Sequence, residues 1–225
     1  MKIAIIDSGV NPGHPHVAGI AGGVSLTATG ESADYLDRLG HGTAVAGAIR
    51  EKAPEAEIYA VKVFDRTLAC KIDLIIRALE WAMAEGMDVI NLSLGTANQE
   101  HRTRFANVLS RSRGAVVVSA FEQRGRLLFP GSLAGVIGVT LDAGCPREKY
   151  RVEWRDGRAI FCASGFPRSI PGVPQERNLN GISFAVANMT GFVARELAGG
   201  TSHEALVSKL IEQAAESRVT KGVFP

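Results

Sequence analysis

The sequence is poor in the features that most quickly assign a chain to a class. It has three cysteines, Cys70, Cys145 and Cys162, among 225 residues. They are widely spaced and odd in number, which excludes a disulfide framework and a cysteine-built metal site. Reduced thiols in a cytoplasmic protein are the expected state, with a Cys145–Cys162 pair as the alternative. No apolar run is long enough to cross a bilayer. The apolar start Ile3-Ala4-Ile5-Ile6 is too short for a signal-peptide core and is interrupted by Asp7, which again argues for the cytoplasm. Charge of one sign is lacking too: the net charge is +2 with the signs well mixed, so neither nucleic acid nor an anionic membrane is an expected partner. No linker, repeat or composition shift divides the chain. With 46% hydrophobic residues, it reads as one domain over residues 1–225, with 219–225 as a loose tail.

What is present has an alternating rhythm. Residues 2–6 are a short apolar run of the buried parallel-strand type, ending at Asp7-Ser8-Gly9. His14-Pro15-His16 follows in a turn; with no third ligand nearby it is expected to pack a loop rather than hold a metal. Residues 17–39, rich in Gly, Ser and Thr, read as irregular. Gly40-His41-Gly42-Thr43 then opens a small-residue helix. Strands are expected at 58–64, 89–95, 115–120 and 135–140, and helices at 72–85, 99–112, 183–198 and about 202–216. Tyr150 to Phe161 has the form of a hairpin around Asp156-Gly157. Strands alternating with helices predict an α/β fold of three layers, αβα, with a mainly parallel central sheet.

Three residues stand where chemistry is expected. Asp7 closes a strand, at the end where ligands and catalytic groups gather in open α/β sheets. His41 lies at the first turn of a helix, where the positive end of the dipole disfavours imidazolium and would lower its pKa. Ser183 follows Asn180-Gly181 at the start of a long apolar helix; an N-cap role would account for it in isolation. A serine nucleophile needs an adjacent base, and the base an orienting partner. There is no G-x-S-x-G elbow, and no G-x-G-x-x-G or G-x-x-x-x-G-K-[ST] that would suggest a nucleotide site.

The motifs around these residues resemble those of the subtilisin-like serine proteases. Ile5-Ile6-Asp7-Ser8-Gly9 is similar to the family's aspartate motif, and Gly40-His41-Gly42-Thr43-Ala44-Val45-Ala46-Gly47 to its histidine motif. Gly181-Ile182-Ser183-Phe184-Ala185 resembles its Gly-Thr-Ser-x-Ala motif, with Ile182 in place of threonine. Tyr59 to Val63, Ile90 to Gly95, Val116 to Val118 and Phe129-Pro130 match as well, and the chain order Asp, His, Ser is that of subtilisins. The resemblance spans roughly residues 2–215. It implies a subtilisin-like fold and a serine endopeptidase, with Ser183 as nucleophile, His41 as general base and Asp7 holding the imidazole. Ser93, Leu94 and Gly95 would form an edge that pairs with the substrate backbone, and the Ser183 N–H would be one oxyanion donor. No cofactor is implied.

The departures are as informative. The family's second oxyanion donor is an asparagine, and an ungapped alignment places Gln123 there. Losing such a donor costs about 10²–10³ in rate, a figure measured on a subtilisin. Ala120, Phe121 and Glu122 would line the P1 pocket; the ring would narrow it, and a Glu122 carboxylate facing in would favour Arg or Lys substrates, the equal alternative being a Glu122 that points to solvent. The calcium loop common after the histidine helix is missing, so no metal is expected at that position, and no prodomain is expected either. These traits resemble specialised intracellular processing proteases that act on a dedicated precursor peptide, leader removal being one such role. The rival reading is a subtilase-fold peptide-binding protein with weak or no activity. The sequence is silent on oligomeric state.

Overall fold

In a computed structural model, which describes residues 1–112 and 114–219, the chain builds a nine-stranded sheet with helices on both faces. In chain order the elements begin with β1 (Lys2–Asp7), β2 (Gly22–Thr27), β3 (Gly30–Ser32), α1 (His41–Lys52), β4 (Glu57–Lys62), α2 (Ile72–Ala84) and β5 (Val89–Leu92). Then come α3 (Arg102–Leu109), β6 (Val116–Ala120), the small strands β7 (Glu122–Gln123) and β8 (Arg126–Leu127), and β9 (Val136–Leu141). The hairpin β10 (Tyr150–Arg155) and β11 (Arg158–Ala163), then α4 (Ile182–Ala198) and α5 (His203–Val219), complete the fold. The expected tail falls mostly on residues 220–225, outside those described.

Strand order is β10-β11-β9-β6-β5-β1-β4-β2-β3, parallel throughout except for antiparallel pairs at the two edges. β1 alternates its contacts. Ile3 and Ile5 join the core under α1, α4 and α5, while Ala4 and Ile6 join the core under α2 and α3. That two-sided burial explains the continuous apolar run. α4 is buried from Phe184 through Ala194, so it is the central helix of its layer and is apolar on all sides for that reason.

Two differences from expectation have physical causes. The stretch read as irregular contains β2 and β3, because β2 adds in parallel to β4 from Gly22↔Tyr59 to Ser25↔Lys62 and borrows its strand character from that neighbour. The strand expected at 89–95 ends its sheet pairing at Leu92↔Ser119, which leaves Ser93-Leu94-Gly95 running past the sheet. The Asp156-Gly157 turn has φ 51° and 72°, the left-handed pair that a two-residue hairpin requires. All three thiols are free, and burial pushes Cys70 and Cys145 up to about 11, so neither is a thiolate nucleophile near neutral pH. No helix among the described residues is long and apolar enough to cross a membrane.

Candidate active site

The carboxyl ends of β1, β5 and β6 converge with the N-termini of α1 and α4. Asp7 closes β1 with its side chain 1% exposed, and His41 opens α1. The His41 Nδ1 lies 2.7 Å from Asp7 Oδ1, which also accepts the Ser8 backbone N–H at 2.7 Å. A neutral His41 therefore carries its proton on Nδ1 and presents Nε2 as an acceptor. This approach depends on glycine. A Cβ on Gly42 would lie 2.1 Å from the Gly9 carbonyl oxygen and 3.2 Å from the Asp7 Cβ, and Gly9 itself adopts φ +95°.

The pKa of His41 departs from expectation. Burial disfavours its charged form, but the hydrogen bond and charge of Asp7 and the charge of Asp37 outweigh that, and the pKa rises above the ordinary value. The dipole of α1 alone would lower it; the decisive carboxylate lies 34 residues away in sequence.

Asp37 was not singled out from the sequence. Its carboxylate accepts from Ser8 Oγ (2.9 Å), Leu39 N (2.9 Å), Gly40 N (2.9 Å), Thr43 N (2.8 Å) and Thr43 Oγ1 (2.6 Å). Gly40, the N-cap of α1, has no side chain to offer; Asp37 supplies the cap from three residues upstream. Burial pulls its pKa up, but these hydrogen bonds win and hold it low. An Asp shortly before a glycine-capped helix was the available signal.

Ser183 is the second residue of α4, and the cap position belongs to Gly181 without a side-chain bond. The N-cap account of Ser183 is thereby removed. Its hydroxyl donates to the Ser93 carbonyl oxygen at 3.0 Å, and Ser93 Oγ donates to the Ser183 carbonyl at 3.1 Å. Among the described residues Ser183 Oγ makes no hydrogen bond to His41, yet the two side chains line one cleft of about 200 Å³. Behind Ser93 runs a buried relay missed in the sequence: Asn91 Nδ2 donates to Ser93 Oγ at 2.8 Å, and Thr190 Oγ1 donates to Asn91 Oδ1 at 2.9 Å. It ties β5 to α4. An Asn in an apolar strand and a Thr in an apolar helix were the visible hints.

The cleft is lined further by Phe64, Leu68, Leu94, Gly95, Ala120, Gln123, Leu128 and Ile182. Gln123 is exposed on the β7–β8 hairpin, and its amide has no partner among the described residues. Nor have the backbone N–H and C=O of Gly95, which leaves an edge free to accept a strand. Two sequence expectations fail here. Phe121 is buried, packed against Gly138 and beneath the Arg155 and Arg158 guanidiniums, and does not line the cleft. Glu122 is paired with Arg155 at 2.6 Å and does not line the cleft, whereas Gln123, its neighbour in β7, does. Neither narrows or charges the pocket.

A family model described as "Subtilase family" matches residues 1–140, a span holding Asp7 and His41 but not Ser183. Subtilisin E of Bacillus subtilis (strain 168) is 32% identical over 220 residues, covering 90% of this chain and 54% of the relative. The chain thus spans about half the length of the first curated relatives it matches. Among solved structures, a cold adapted subtilisin-like serine proteinase superposes with a TM-score of 0.72 at 21% identity, covering 94% of this chain and 81% of that one. The prenylagaramide maturation protease PagA does so with 0.64 at 23% identity, covering 90% and 78%. At such identity these two speak to the fold alone.

Proposed function

This chain belongs to the subtilase family, and from that premise we propose that it is a serine endopeptidase acting through Asp7, His41 and Ser183. The observation that carries the reading is the 2.7 Å contact of Asp7 Oδ1 with His41 Nδ1 beside a cleft shared with Ser183. In the proposed cycle the Ser183 oxygen attacks the scissile carbonyl carbon and its proton passes to His41 Nε2. The tetrahedral adduct collapses to an acyl-enzyme as the amine leaves with that proton. Water then repeats the sequence, and the acid and free Ser183 are released. Asp7 keeps the imidazole in the required tautomer and stabilises its charged form. Catalytic hydrogen bonds that are absent before substrate arrives commonly form in the complex, so a rotation of the Ser183 hydroxyl toward His41 completes the arrangement.

The oxyanion is assigned to the Ser183 backbone N–H, at a helix N-terminus, and to the Gln123 amide. Substrate backbone pairs along Ser93, Leu94 and Gly95. With Glu122 held by Arg155, the apolar lining of Phe64, Leu68, Leu94, Leu128 and Ile182 favours an aliphatic or aromatic side chain on the acyl side of the bond. We assign the whole of residues 1–225 to one catalytic domain. The proposed setting is the cytoplasm, which suits three free thiols. The proposed substrate is a dedicated precursor peptide whose leader is removed, a role with which the fold likeness to a maturation protease is compatible.

The alternative, a peptide-binding subtilase fold with little activity, is favoured by the Ser183 hydroxyl bonded to Ser93 and by Gln123 in the oxyanion position. Internally quenched peptides separate the two. Turnover that disappears in Ser183→Ala and prefers apolar over basic residues before the cut supports the peptidase. Binding of the same peptides without any turnover supports the alternative.

A further inference from the structure

A second cavity, of about 280 Å³, opens beside the first turn of α1. Gly40 and Thr43 bring it next to His41, and Asn178 and Leu179 bring it to the loop that delivers Ser183. None of its lining residues is shared with the cleft that holds Ser93–Gly95. In a triad mechanism the histidine hands its proton to the departing amine, so the leaving-group half of the substrate lies on the histidine's side. This cavity is where that half would run.

Its lining holds one arginine, Arg168. The half-buried Arg168 donates from Nη1 to the His16 carbonyl at 3.2 Å, and that contact engages one of the five N–H donors of a guanidinium. No carboxylate pairs with it among the described residues, whereas the neighbouring Arg147 is held by Glu51. Asp37 also lines the cavity and carries a negative charge, but both its oxygens accept from the N-terminal N–H groups of α1, whose positive end offsets it, and neither pairs with Arg168. His14 Nδ1 accepts the His16 N–H at 3.2 Å, and His14 Nε2 has no hydrogen-bond partner among the described residues. Burial, with Arg168 and His14 beside it, holds His16 below the usual histidine range, so Arg168 is the permanent charge. Ile170 and Leu179 add exposed apolar surface at the rim.

We propose that this cavity is a subsite for a carboxylate-bearing residue shortly after the scissile bond, with Arg168 as its ion-pair partner. The proposal rests on the peptidase reading for the direction of the substrate, but its test does not require turnover. Two peptides are compared on the Ser183→Ala protein by fluorescence anisotropy, identical except for Asp or Asn in the positions after the cleavage site. The Asp peptide is expected to bind about fivefold more tightly, as a charge-assisted bond at a partly exposed site allows. Arg168→Gln should bring the ratio of the two affinities to near one, and Arg168→Lys should retain part of it. Equal affinities for the starting protein, a ratio unchanged in Arg168→Gln, or no binding of either peptide overturns the subsite. Cleavage by the unmodified protein with equal affinities would sink the subsite and leave the peptidase standing. An Arg168-dependent ratio without cleavage would do the reverse.

Discussion

His41 sits between opposing influences, and their balance has a kinetic consequence. Burial favours the neutral ring; Asp7 in contact and Asp37 nearby favour the charged one and prevail. A protonated His41 cannot accept the Ser183 proton, so a raised pKa carries the inactive form to higher pH. The kcat/KM profile of the free enzyme should therefore climb through a midpoint above 6.5. Asp7→Asn should move that midpoint down while lowering the plateau by orders of magnitude, on the order of 10⁴ if the tautomer is lost. A midpoint below the ordinary histidine value in the unmodified chain would contradict the assignment. Glu122 teaches a related lesson: its carboxylate belongs to Arg155, so a charged residue in a motif says little until its partner is known.

At the level of elements, the site is held by close approaches rather than by large contacts. α1 begins against the Asp7–Gly9 turn, and a methyl group at position 42 would overlap the Gly9 carbonyl. Gly42→Ala should cost about 3 kcal/mol, a fall in melting temperature on the order of 10 °C, and most of the activity with it. Gly13→Ala, where the nearest atom is 3.5 Å away, should change stability by less than about 0.5 kcal/mol. Thermal melts of both variants check this; equal effects would mean that the approach of α1 to β1 is not tight. The sequence announced β1, β5 and β6 because strands buried on both faces leave continuous apolar runs. It hid β2, whose pairing is supplied by β4, and the β7–β8 hairpin, whose turn places the non-glycine Arg124 at φ 52°. Side-chain direction was the least legible property: position along the chain put Phe121 and Glu122 near the cleft, and packing turned both away.

Across the whole molecule, two layers of helices and one sheet bring Asp7, His41 and Ser183, from distant parts of the chain, to one rim. Ser93–Gly95 and the apolar cleft lie with Ser183, and the Arg168 cavity lies beside the start of α1. Under the two proposals, one substrate strand would have chemically different ends, apolar before the cut and acidic after it. The relay from Thr190 through Asn91 to Ser93 links the buried helix layer to the cleft floor. The claim on which all of this depends is that His41 activates Ser183. Reaction of the folded protein with a fluorophosphonate, read by intact mass and mapped by peptide mass spectrometry, tests it most directly. The account predicts a single adduct on Ser183 that is lost in His41→Ala; folded protein that forms no adduct, or forms it equally well without His41, would contradict it.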